Sequence, residues 1–109
     1  MYTNHLGTKE YPFFATFYHL GVDESKPLDQ QFEEKIVSLE TECDMSDRNS
    51  KLDNSSFTLY IPFDSKREDV KVAIGETVEV ETFGLKQRGR VLVVFPSTLD
   101  GVSIVCTRI

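Results

Sequence analysis

Large apolar side chains recur at every second position through Phe57, Leu59, Ile61 and Phe63, with Ser56, Thr58, Tyr60 and Pro62 between them. A strand sends alternate side chains to opposite faces, so this spacing gathers four apolar groups on one side. Residues 13–22 carry Phe13, Phe14, Phe17, Tyr18, Leu20 and Val22, an aromatic-rich composition typical of strands. Gly21 and the polar cluster 23–27 break that run. Residues 77–81 turn Val78 and Val80 inward, and Phe83-Gly84-Leu85 supplies a turn. Residues 88–95 are apolar in both phases from Val91 to Phe95, which predicts a central strand covered on both faces. Asp100-Gly101 is a turn dipeptide, and 102–109 comes next as the last strand.

Residues 29–45 fit two periods. Phe32, Ile36, Leu39 and Cys43 match the helical spacing of three and four. Val37, Leu39, Thr41 and Cys43 alternate equally well with Ser38, Glu40 and Glu42, whose acids would form the wet face of a strand. The β-branched residues Ile36, Val37 and Thr41 favour a strand over about 34–44, with a helix kept as the alternative. Residues 45–55 hold only Met45 and Leu52 as apolar groups, too few to offset the entropy of ordering, and read as a long mobile loop. Loops of that length in a compact domain are often functional.

The predicted fold is mostly β: a small antiparallel barrel or sandwich of about six strands, with a long polar loop between strands two and three. The last three strands form a meander. Residues 1–12 read as a flexible N-terminal arm and 13–109 as a single β-barrel domain. Closure of such a sheet removes exposed edges.

Composition narrows the function. The chain has 109 residues and eight Phe, enough for a core but with little room for a deep active site. A binding or structural role is expected rather than an enzyme. Its net charge of −6 is concentrated between Asp23 and Asp53. Non-specific phosphate binding needs clustered Lys and Arg, and that surplus is missing, so a dedicated nucleic-acid-binding module is not expected. Cys43 and Cys106 sit at apolar-phase positions and read as small buried hydrophobes in a reducing compartment. Met1 to Gly7 lacks the basic start and apolar core of a secretory signal, and no apolar run approaches a membrane span, so the expected location is cytoplasmic.

Candidate chemistry is sparse. His5 and His19 are the only histidines, and neither has a second ligand at metal spacing. No nucleophile is held beside a base and an orienting acid, and no glycine loop cradles phosphate; Gly84 and Gly89 read as isolated turn residues. No cofactor is expected. Glu79 and Glu81 share a strand face, which more often means solvent than acid–base work. Lys86, Arg88 and Arg90 form the basic cluster, read as lying around a turn. It is either a solvated strand end or a docking patch for an acidic surface, such as the Asp23–Asp53 region of a neighbouring copy. Head-to-tail contacts of that kind generate rings.

The order of segments resembles the head-closure proteins (stoppers, or head–tail connector proteins) of tailed bacteriophages and prophages. An early strand at 15–20 is succeeded by Asp23-Glu24 in a turn. A strand then leads into the polar loop, and Leu59-Tyr60-Ile61-Pro62-Phe63 ends the next strand. Ile74-Gly75-Glu76-Thr77-Val78 looks like that family's glycine–acid–apolar entry to a hairpin, and Gly89-Arg90-Val91, Phe95-Pro96 and Gly101-Val102 are also similar. The likeness covers about residues 13–109 and lacks the Trp often found in the early strands.

That resemblance implies a β-barrel subunit that joins head to tail, forms a ring under the portal or adaptor and helps retain packaged DNA. The loop between strands two and three would face the channel, placing Asp44, Asp47, Asn49 and Asp53 beside passing DNA. An acidic lining would let the polyanion slide. The implied partners are the portal or adaptor, the tail terminator, and further copies of the chain, in host cytoplasm during assembly and then in the virion neck, with no membrane. The alternative is a small β-barrel module that binds a peptide or ligand and has no part in virions.

Overall fold

The computed structural model describes residues 11–46, 55–63 and 69–109. Six strands dominate: β1 (Phe13–Val22), β2 (Glu33–Ser46), β3 (Ser56–Pro62), β4 (Thr77–Thr82), β5 (Leu85–Val94) and β6 (Gly101–Arg108). A three-residue 3-10 turn, Leu28–Gln30, is the helical element among the described residues. All strand pairs are antiparallel, and the order β1-β2-β3-β6-β5-β4 closes as β4 pairs back onto β1. Within residues 29–45 the strand favoured over about 34–44 is present as β2 from Glu33 onward, and residues 29–30 belong to the 3-10 turn. The last three strands form the expected meander.

Alternation built the core. Phe57, Leu59 and Ile61 are fully buried, joined by Ala15, Phe17, Cys43, Val78, Val80, Val91, Val102, Ile104 and Cys106. Each large side chain among them stabilises the fold by about 1.5–3 kcal/mol on leaving water. Phe63, Val70 and Val72 pack against this cluster from the chain that leaves β3 and returns to β4.

Two bulges change the expected faces. In the β1–β2 ladder Phe17 pairs with Leu39 but Tyr18 with Val37, so Ser38 is an extra residue. A bulge bends its strand and resets which side chains point inward. Val37, expected inside, is consequently exposed. In the β5–β6 ladder Val91 pairs with Cys106 and Val93 with Val105, leaving Leu92 extra. The apolar run from Val91 to Phe95 is thus not covered on both faces: Leu92, Val93 and Phe95 are exposed, while Val91 and Val94 serve the core.

Turn chemistry sets the β4–β5 register. Phe83 (φ 47°) and Gly84 (φ 86°) both lie in the left-handed region. A two-residue turn with positive φ at both positions matches the twist of the flanking strands. It fixes Thr82 opposite Leu85, Glu81 opposite Lys86 and Glu79 opposite Arg88. Gly89 lies inside β5, opposite Val78 and Arg108, and not in a turn.

The β3–β6 ladder runs over seven residue pairs, whereas among the described residues β2 meets β3 over three, Asp44–Tyr60, Met45–Leu59 and Ser46–Thr58. Residues 19–22 of β1 and 33–36 of β2 extend beyond the part of β1 that pairs with β4, forming a projecting hairpin. Of the predicted arm, only Tyr11 and Pro12 lie within the described residues. The Pro12 carbonyl accepts a hydrogen bond from Thr82 Oγ1 (2.8 Å).

Candidate interaction surfaces

The start of β1, the end of β2 and the start of β3 meet at one rim of the barrel, with the end of β4 and the start of β5. Asp44 stands here as an exposed residue of β2 itself, and its carboxylate accepts the Met45 amide (2.9 Å). Asp47, Asn49 and Asp53 lie outside the described residues. A cavity of about 310 Å³ opens at the same rim, lined by Phe13, Met45, Val80, Thr82, Leu85, Lys86 and Gln87.

Strand geometry brings the three predicted cations together. Lys86, Arg88 and Arg90 alternate with inward residues on β5 and share its outer face, so they form a row along a strand and not a cluster round a turn. Arg88 is engaged within the chain. Its Nε stands 3.6 Å from Glu79 Oε2, and its Nη2 donates to the Tyr18 hydroxyl (3.4 Å). Tyr18 O–H donates to the same Glu79 oxygen (3.3 Å), and Lys35 Nζ reaches it at 3.5 Å. Lys35 also lies over the Tyr18 ring, 4.6 Å from its centre. Polar side chains thus cover an aromatic ring on the outside of the barrel, and Tyr18 is left only 4% exposed.

At the opposite rim Gly75 (φ 98°) turns the chain so that Glu76 enters the barrel end. Gly75 N–H donates to the Val91 carbonyl (2.9 Å) and Val91 N–H to the Glu76 carbonyl (2.8 Å), pinning this segment to β5. Glu76 Oε2 accepts from Ser38 Oγ at 2.7 Å and faces His19 Nδ1 at 3.2 Å. Its other oxygen, Oε1, is buried without a hydrogen-bond partner among the described residues. The bulge residue Ser38 is therefore what ties β2 to the segment entering β4.

This arrangement holds no nucleophile beside a base: Ser38 and His19 both turn to the carboxylate rather than to each other. Cys43 and Cys106 are free and wholly buried, and burial pushes each thiol up to about 12, with Asp44 adding to the rise at Cys43. Such thiols are inert. Among the described residues no group of His, Cys, Asp and Glu could hold a metal ion, and no helix is long and apolar enough to cross a membrane.

Sequence reasoning passes over Tyr18, Lys35, Ser38, Glu76 and Glu79 as a connected set. The Glu79–Arg88 pairing is within its reach, because a two-residue turn at Phe83-Gly84 fixes it. The Ser38–Glu76 contact is not, because it needs the bulge. No family model matches this chain, and neither a curated protein nor a solved structure does.

Proposed function

We propose that this chain is a head-closure subunit of a tailed bacteriophage or prophage, joining head to tail in a ring beneath the portal or adaptor and helping to retain packaged DNA. The reading rests on the order of segments along residues 13–109. The observation that carries it is the closed antiparallel sheet in which the end of β2 and the start of β3 share one rim, residues that the polar segment 47–54 joins in the sequence. Exposed Asp44 at that rim is suited to a channel wall that repels DNA phosphates instead of holding them. The tail terminator and portal or adaptor are the partners, reached in host cytoplasm and kept in the virion neck.

The test uses DNA-filled, portal-bearing heads with the purified chain added. Retention of nuclease-resistant DNA is the expected result. A variant lacking residues 46–54 is expected to fold, judged by an unchanged near-ultraviolet spectrum, yet to leave heads leaking. Heads that leak equally with and without the intact chain would overturn the reading.

The rim cavity favours a second reading, a barrel that binds a small apolar ligand between Phe13, Met45 and Val80. Under that reading Val80→Phe would abolish ligand binding, while the deletion of 46–54 would spare it.

A further inference from the structure

The projecting hairpin is an odd surface for a chain to leave in water. Leu20 and Val22 are exposed on it, Val37 at its base, and Leu28 (84% exposed) and Phe32 (73%) stand near its tip. Apolar groups gathered on one projecting element mark an interaction site more often than singly scattered ones do. Acids surround them: Asp23, Glu24, Asp29, Glu33 and Glu34 stand against Lys26 alone between residues 21 and 34. Asp23 is turned back on Ser25, and Glu34 lies 3.9 Å from Lys26, while Glu24, Asp29 and Glu33 have no partner among the described residues. A concavity of about 460 Å³ opens here between Val22, Asp23, Glu24, Glu34, Lys35 and Ile36. Its walls are aliphatic at Val22 and Ile36 and anionic at Asp23, Glu24 and Glu34, while the ammonium of Lys35 is engaged with Glu79 and the Tyr18 ring. That is the environment an arginine side chain fits, with its stem on apolar atoms and its guanidinium among carboxylates.

The complementary group is on the same molecule. Arg90 points outward from β5, is exposed, and has no acid partner among the described residues, in contrast to Arg88. Next to it the bulge exposes Leu92 and Val93. So β5 presents a cation beside apolar groups, and the hairpin presents acids beside apolar groups.

The two surfaces do not meet within one chain. β4 lies between β5 and β1, and Arg90 stands level with Thr77 and Tyr18, four residues along β1 from Val22, which is roughly 13 Å at the rise of a strand and beyond the reach of its side chain. Two different, complementary patches on one chain join copies head to tail, and such contacts close into a ring where the rotation between copies allows it.

We infer that the β1–β2 hairpin of one copy seats on the outer face of β5 of the next, with Arg90 entering the acidic concavity beside Val22 and Leu92 covering the hairpin's apolar groups. The inference rests on the proposed ring and names the elements that would build it.

The first test is run in Cys43→Ala/Cys106→Ala copies, so that the introduced thiols alone react. A Leu20→Cys copy and a Leu92→Cys copy are mixed and treated with a short bismaleimide. The expected product is the mixed 20–92 dimer, at least about tenfold over either homodimer, since a heterologous contact does not bring identical residues together. Arg90→Glu in the Leu92→Cys copy is expected to cut the yield about tenfold, as a like charge is forced against carboxylates, and Glu24→Lys in the other copy to restore part of it. Homodimers in excess, no adduct, or a yield indifferent to Arg90→Glu would overturn the contact.

Sealing of filled heads is scored separately. Sealed heads without the 20–92 adduct overturn the hairpin contact alone. An adduct formed by a chain that never seals heads overturns the neck assignment and leaves the contact standing.

Discussion

The ring of Phe57 fills the space that a side chain at residue 89 would need. A Cβ on Gly89 would stand 2.6 Å from Phe57 Cζ and 2.8 Å from the Thr107 carbonyl oxygen. The second contact is backbone in the neighbouring strand and cannot rotate away. Gly89→Ala is therefore expected to destabilise the barrel by about 1–3 kcal/mol, the usual cost of overpacking. Urea denaturation with an unchanged slope checks it, and Phe57→Leu in the same chain should recover only part of the loss, because the carbonyl remains.

Phe83 is a bulky residue held at positive φ, where Asn or Gly is ordinarily found. Phe83→Asn is expected to stabilise the protein by about 0.5–1 kcal/mol by relieving that backbone preference. A melting temperature that fell would show that the Phe83 side chain contributes more through its contacts than its backbone costs.

Ser38 donates to the buried Glu76 carboxylate, and His19, half exposed, faces the same oxygen. Removing a donor from a buried charged acceptor costs more than removing one at the surface. Ser38→Ala is expected to cost about 1–2 kcal/mol, and His19→Ala less than about 1 kcal/mol. Equal losses, read by chemical denaturation, would mean that the carboxylate is tied down elsewhere.

Burial pushes both thiols up to about 12 in the folded chain, from an ordinary value of 9.0. The fold thus favours the protonated thiol, and the stability it gains is complete below pH 9. Above that the unfolded chain sheds its thiol protons while the folded one keeps them, so stability falls from pH 9 towards 12, by up to about 1.4 kcal/mol per thiol per pH unit. The Cys43→Ala/Cys106→Ala chain should show a shallower alkaline decline. Parallel pH profiles for the two chains would refute the assignment.

Strand positions are legible because period-two alternation is written directly in the residues, and Phe57, Leu59 and Ile61 point as that pattern requires. The bulges are not. One extra residue, Ser38 or Leu92, inverts the phase of its neighbours along the strand, and nothing in the local composition announces it. Val37 and Val93 depart from the expected faces for that single reason. The basic row is visible as residues but not as a face, since its strand begins at Leu85, three residues before the run at 88–95. Glu76 enters the sequence pattern only as part of a motif. Its inward turn depends on Gly75 and on side chains more than thirty residues away in sequence.

Cys43 and Cys106 are also held in the sheet differently. Cys106 is laddered on both sides, to Phe57 of β3 and Val91 of β5, while Cys43 pairs with Phe13 of β1 and stands just outside the described β2–β3 pairs, the first of which is Asp44–Tyr60. A strand held at that level on one side opens more readily than one held on both, so local opening at Cys43 should run ahead of global unfolding. A thiol reagent at neutral pH thus becomes a clock for that opening, with Cys43 marked well before Cys106.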